Sequence, residues 1–180
     1  MVEQAGLRHV VIVAAQFPPC NLAAVHRSRY FAQHLVKFGW KPTIVTVDPV
    51  YYEEKTDPEL TALLSDSLVV LRSKAFPIKP FRIIGDIGLR SLWWHYRLLC
   101  DLAKKEKIDL LYLPVPPHYS ALLGILLFRA RGIPYAVDYI DPWVYPSPGS
   151  SVLFSKAWWA LHLARCLEPI ALKHVSLITD

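Results

Sequence analysis

Glycine is scarce where a nucleotide site would need it. The chain has 180 residues and seven Gly, and none of them lies between Gln16 and Arg27, the loop after the first apolar run. A dinucleotide fingerprint needs Gly there for a tight turn and for close approach of a pyrophosphate. No Walker loop occurs elsewhere, so the chain alone is not expected to be an NAD or ATP domain. Cysteine is scarce too. Cys20, Cys100 and Cys166 are odd in number, and no pair has redox or metal-ligand spacing. The plain reading is reduced thiols in a cytosolic protein. A direct role for Cys20 would need a special microenvironment.

Long apolar runs are also missing. The longest, residues 121–128, is well short of the ~18 residues that suggest a membrane span. Residues 10–15, after Arg8, are too short for the apolar region of a signal peptide. The expectation is a soluble chain, cytoplasmic or at most peripheral on a membrane surface. No Lys/Arg run marks a nucleic-acid arm. The net charge of +5 is a mild excess that suits anionic lipid or phosphorylated substrates without selecting either.

What is present is core-forming material. Apolar residues make up 53% of the chain and charged residues 19%, which fits one folded domain and not a disordered segment. Val10-Val11-Ile12-Val13-Ala14-Ala15 reads as a strand buried on both faces. Similar strands are predicted at 42–47, 68–71, 110–113, 135–139 and 175–179. Helices are predicted at 24–38, 57–64, 87–105, 118–131 and from Ser151 or Ser155 to about Glu168. Val25, Tyr30, Phe31, Leu35 and Phe38 form the apolar side of the first helix. Leu89, Leu92, Trp93, Tyr96, Leu99, Cys100 and Ala103 form the stripe of the long one. Gly39 and Gly132 are placed to end helices. Pro58 sits at a first helical position behind Asp57, and Pro169 interrupts a helix or starts a new turn. Strand–helix alternation predicts an α/β fold, a doubly wound parallel Rossmann-like sheet with order 3-2-1-4-5-6. The switch point then lies between the first and fourth strands.

Ligands of such sheets sit at the carboxyl ends of the strands near the switch point. Three loops meet that rule: 16–27, 114–119 and 138–143. They carry Asn21, His26, Arg27, His118, Asp138, Asp141 and Trp143. Arg27 falls in the first turn of a helix, against the dipole preference, which suits a residue kept to meet an anion; the plain alternative is a solvated arginine. Arg29 reads as a surface charge or a salt-bridge partner. His118 and His26 titrate near neutrality and can donate to a substrate or act as a base, or simply cap and pack. Asp138 and Asp141 lack the further ligands a metal needs. Asp138 reads as an anchor for loop backbone, and Asp141 as a turn former or a catalytic carboxylate. Trp143 stacks on a sugar or packs in the core.

A separate segment is basic and aromatic. Arg72, Lys74, Lys79, Arg82, Arg90 and Arg97 are interleaved with Phe76, Phe81, Ile83, Ile84, Ile87, Trp93 and Trp94. That composition fits contact with an anionic membrane surface. Trp158, Trp159, Leu161 and Leu163 are a second apolar candidate. The bland reading is that each helix covers the sheet with one face.

Phe17-Pro18-Pro19, Arg27 before a helix ending in Phe38-Gly39-Trp40, and Pro42-Thr43-Ile44-Val45-Thr46 together resemble the start of family 4 glycosyltransferases. Asp109-Leu110-Leu111-Tyr112 with Pro116-Pro117, Gly132-Ile133-Pro134-Tyr135, and Asp138-Tyr139-Ile140-Asp141-Pro142-Trp143 resemble the family's later strands and turns, and Leu167-Glu168 with Ser176-Leu177-Ile178-Thr179 its lead into the sixth strand. The resemblance implies the N-terminal, acceptor-side half of a GT-B enzyme. It also implies transfer with retention from a nucleotide-sugar, with no cofactor and no metal, to a glycan, lipid-linked or cell-envelope polysaccharide acceptor. It implies a C-terminal donor-binding domain that this chain lacks, so the isolated chain is expected to be inactive. His118 and Asp141 are carried over as catalytic candidates. Asn21, His26, Arg27 and Trp143 are the substrate-binding candidates. Cys20-Asn21-Leu22-Ala23-Ala24 departs from the Gly-rich loop of many members. Two other readings stand beside this one: a non-catalytic membrane-surface or partner-binding module, and a small nucleotide-binding enzyme.

Overall fold

A computed structural model describes residues 6–78 and 85–180. Lys79, Phe81, Arg82, Ile83 and Ile84 of the basic aromatic segment lie outside the described residues. Six parallel strands form one sheet in the order β3-β2-β1-β4-β5-β6. They are β1 (Arg8–Val13), β2 (Trp40–Val47), β3 (Val69–Ser73), β4 (Leu110–Val115), β5 (Tyr135–Tyr139) and β6 (Leu177–Thr179). The helices are α1 (Ala23–Leu35), α2 (Glu59–Ala62), α3 (Ile87–Lys105), α4 (Leu122–Arg131) and α5 (Lys156–Leu172). The expected α/β architecture and strand order are therefore present.

Successive side chains of a strand point to opposite faces, and the core divides accordingly. Val11 and Val13 of β1, Leu111 and Leu113 of β4, and Tyr135 and Val137 of β5 join one buried cluster, which continues into α4 and α5. Val10 and Ile12, Tyr112, and Ala136 face the other way, toward α1. This two-sided burial is why the strands read as unbroken apolar runs and not as alternating ones. Gly39 (φ 79°) and Gly132 (φ 70°) turn the chain out of helices in the left-handed region, where a side chain would be strained.

The helix faces differ from the expected stripes. In α1 the buried residues are Val25, Ser28, Arg29 and Ala32, and Leu35 packs as expected, while Tyr30, Phe31 and, past the end of α1, Phe38 are exposed. Arg29 is not a surface charge: it is buried, with its guanidinium over the Tyr30 ring, 4.4 Å from the centroid. In α3, Leu92, Tyr96, Leu99, Cys100 and Ala103 do pack, but Trp93 points outward, and Gly88, Arg90, Ser91 and His95 form the most deeply buried row. Helix α5 starts from Ser155, whose hydroxyl accepts from the Trp158 N–H at 3.0 Å, and runs through Pro169 to Leu172.

Candidate functional site

The carboxyl ends of β1 and β4 open onto a crevice of about 400 Å³. The loop after β1 lines it with Gln16 and Leu22, and the loop after β4 with Pro116 and Pro117. Two further elements reach in. Glu53 and Glu54 come from the segment after β2, and Asp86 comes from the start of α3. None of these three carboxylates was singled out by the sequence. The signal that would have found Asp86 is its position just before the apolar start of a long helix.

Each of these groups is held by identifiable contacts. Asp86 caps α3, its Oδ1 accepting from the Leu89 N–H at 2.9 Å. Burial pushes its carboxyl above the ordinary value, and the capped Leu89 N–H and nearby His118 oppose that rise. A Cβ at Gly88 would lie 2.8 Å from the Pro117 Cβ and 3.0 Å from the Ser120 Oγ, so glycine lets α3 close against the loop after β4. Arg90, almost wholly buried, donates to the Phe76 carbonyl at 2.8 Å, the Tyr51 carbonyl at 3.1 Å and Glu53 Oε1 at 3.2 Å. Within the basic segment, Arg90 thus fastens the Glu53 loop to α3 and presents no charge to a membrane. Arg72, though exposed, also donates within the fold, to the Pro18 carbonyl at 2.8 Å. The Tyr52 hydroxyl donates to the Val47 carbonyl at 3.0 Å and accepts from the Phe17 N–H at 3.1 Å, tying the two loops together. Burial raises its pKa.

None of the expected site residues lines this crevice; they fall into three groups of their own. His26 and Asn21 meet each other, Nε2 to Oδ1 at 2.9 Å, on the exposed turn at the start of α1. Arg27 reaches across to β5, where its Nη2 donates to Asp138 Oδ1 at 2.7 Å. Thr179 of β6 donates to the same oxygen at 2.7 Å. Asp138 is fully buried, so it anchors an arginine and a threonine, not loop backbone as expected. Burial of Tyr112, and after it the negative charge of Asp138, pushes the Tyr112 phenol above its ordinary pKa. The third group joins the loops after β4 and β5. His118 Nε2 lies 2.9 Å from the Asp141 carbonyl oxygen, which favours the tautomer with the proton on Nε2 and leaves Nδ1 as an acceptor. The His118 ring stacks on Trp143, with centroids 5.9 Å apart and planes 14° apart. Trp143 is itself buried and meets the edge of Tyr119. Asp141 is exposed and borders a second crevice of about 460 Å³, shared with Glu168 and Asp180. Cys20 is buried, and burial raises its thiol pKa, the opposite of what a nucleophile needs.

Chemically, the β1/β4 crevice is a carboxylate-lined hollow beside the start of α1. Leu22 offers α1 no side-chain cap. Hydroxyls that donate to Glu53, Glu54 or Asp86 fit this lining, whereas a phosphate meets the carboxylates of Glu54 and Asp86 and a Glu53 already held by Arg90.

No protein-family profile matches the chain, and no curated protein does. Among solved structures it is similar to sucrose-phosphate synthase from Thermosynechococcus elongatus, with TM-score 0.63 and 13% identity over 95% of this chain and 41% of that one. It is similar to the glycotransferase of kitacinnamycin, with TM-score 0.51 and 17% identity over 93% of this chain and 38% of that one. Phytolacca americana UGT2, solved with UDP-2fluoro-glucose and pterostilbene, gives TM-score 0.51 and 17% identity over 75% of this chain and 30% of that one. The chain thus spans less than half the length of these proteins. At such identities the likeness is one of fold: a Rossmann-like α/β domain of the kind found in GT-B glycosyltransferases.

Proposed function

We propose that this chain is the acceptor-side domain of a retaining GT-B glycosyltransferase of the family 4 type. It would bind a glycan, lipid-linked or cell-envelope acceptor, and a second Rossmann-like domain would hold the nucleotide-sugar. The observation that carries this reading is the crevice at the β1/β4 switch point. Its position suits a substrate, it has no Gly-rich phosphate loop, and its lining of Glu54, Asp86 and the Arg90-held Glu53 suits a polyhydroxylated acceptor better than a pyrophosphate. In this reading Asn21, His26 and Arg27 border the acceptor along the start of α1, and Trp143 supports His118 by stacking. His118 Nδ1 is the free acceptor for a sugar hydroxyl proton, and the Asp141 carboxylate faces solvent beside it.

The test is a binding comparison on the isolated chain. Amide chemical shifts are followed while a panel of neutral oligosaccharides and, separately, UDP-glucose are titrated in. The expected result is shifts at Leu22, Glu54 and Pro116 neighbours with at least one oligosaccharide and little response to UDP-glucose. Saturable UDP-glucose binding in that crevice, with no response to any glycan, would overturn the assignment in favour of a nucleotide-binding enzyme.

A further inference from the structure

Gln16 differs from everything else that lines the β1/β4 crevice. The other lining side chains among the described residues are three carboxylates, three aliphatic groups and two prolines, so Gln16 alone brings a side-chain donor. Its Nε2 is buried and meets no acceptor among the described residues. The backbone on either side is fastened. The Val47 N–H donates to the Ala15 carbonyl at 3.2 Å, and the Phe17 N–H donates to the Tyr52 hydroxyl at 3.1 Å. Behind Gln16, under α1, lies a hollow of only about 10 Å³, the lower bound for one water. Its walls are mainly alanine, valine and proline, and its one hydroxyl, that of Ser28, already donates to the Ala24 carbonyl at 3.2 Å. A buried water needs two or more polar partners. The acceptor for Gln16 therefore has to come from the crevice side.

The surrounding charge limits what that acceptor is. No Lys or Arg lines the crevice, so a ligand carboxylate or phosphate would sit uncompensated beside Glu54 and Asp86. A sugar hydroxyl suits both halves of the lining, because it accepts through its oxygen and donates through its proton. Asp86 spends Oδ1 on the Leu89 N–H, which leaves Oδ2 for a ligand, and Glu54 is exposed. We propose that Gln16 is a specificity-determining residue: its amide donates to one hydroxyl oxygen of a pyranoside, while Asp86 and Glu54 accept the protons of neighbouring hydroxyls. The crevice then selects a neutral sugar with adjacent free hydroxyls and refuses a uronate. This inference rests on the reading of the crevice as an acceptor site.

The test is an amide-shift titration of the chain with methyl glycosides of neutral hexopyranoses, with the matching methyl uronosides, and with the mono-deoxy analogues. At neutral pH the neutral glycosides should bind roughly tenfold or more tightly than the uronosides. Gln16→Met keeps the side-chain length and removes the donor, and should weaken the neutral glycosides about five- to tenfold. One mono-deoxy analogue, lacking the oxygen that Gln16 meets, should bind parent and variant equally, a coupling that a purely structural glutamine does not produce. If Gln16→Met does not fold, Gln16→Glu, of the same shape, takes its place with a larger loss expected. Glu54→Gln, an exposed change, should narrow the discrimination against uronosides about fivefold. Uronosides that bind as tightly as neutral glycosides overturn the proposal. So does a Gln16 variant that binds every analogue as the parent does, with shifts at Leu22 and Glu54 retained. Both results leave the acceptor-site reading standing. Absence of any shift at Leu22 or Glu54 with every glycoside and oligosaccharide removes that reading, and the proposal with it.

Discussion

Replacing Gly124 by alanine should destabilise this protein even though alanine is the better helix former. Gly124 lies in α4 against β5, and a Cβ built there would clash with Cδ2 of Tyr135 and sit 2.5 Å from its Cε2 and 2.7 Å from its Cγ. Carbon contacts settle at about 3.5–4.0 Å, so the ring must retreat by more than an ångström, as roughly set by that spacing. It is not free to do so. Tyr135 is fully buried, and its hydroxyl donates to the Ala171 carbonyl of α5 at 2.6 Å. The ring is thus clamped between α4 and α5. Overpacking of this kind costs about 1–3 kcal/mol. A displaced hydroxyl adds about 1–3 kcal/mol by leaving a buried carbonyl unsatisfied. Helix propensity returns only about 1 kcal/mol. The balance is a loss of about 2 kcal/mol or more, corresponding to a melting temperature lower by roughly 4–8 °C in a domain of this size. Urea unfolding followed by circular dichroism measures it. In a Tyr135→Ala background the same substitution should become neutral or favourable, because the clashing ring is gone. A Gly124→Ala protein as stable as the parent, with no coupling to Tyr135, would refute the reasoning.

Two further predictions concern buried charge. Burial holds the His95 imidazole at a pKa of about 4, below its ordinary 6.5, so the folded protein keeps it neutral while the unfolded chain takes up a proton below 6.5. Its contribution is complete above that pH and is lost as the pH falls toward 4, to a total on the order of 3 kcal/mol. Urea midpoints across that interval should fall more steeply for the parent than for His95→Leu, and identical slopes would rule the account out. Arg27→Ala should cost about 2–4 kcal/mol by leaving Asp138 buried without its cation, less than the ~3–5 expected for a fully buried pair because Arg27 is partly exposed. Adding Asp138→Asn, which keeps an oxygen for Thr179, should recover part of that loss in the same unfolding assay, and two purely additive penalties would count against a direct pairing.

The sequence by itself determined the sheet. Strands buried on both faces have no polar side, so β1, β4 and β5 announce themselves as unbroken apolar runs, and β5 is found where expected, at Tyr135–Tyr139. The long helix α3 begins and ends at the expected residues, and Gly39 and Gly132 mark helix ends through a local backbone preference. Strand–helix alternation then leaves few topologies, and the order of the sheet follows from the handedness of the crossovers. All of these are short-range or periodic signals. What only the tertiary structure decided is which polar side chains are turned inward and whom they meet. Arg90 was read as a surface cation and instead holds the loop that brings Glu53 to the crevice. Arg27, expected to meet a ligand anion or to lie in solvent, is paired with Asp138, 111 residues away. Glu53, Glu54 and Asp86 come from separate elements and become neighbours only when α3 closes on the loop after β4 at Gly88. Helical periodicity ranks residues by apolarity, and a buried arginine or histidine is invisible to it. Such a residue is kept inside by hydrogen bonds to partners far along the chain, and one-dimensional patterning carries no record of those partners.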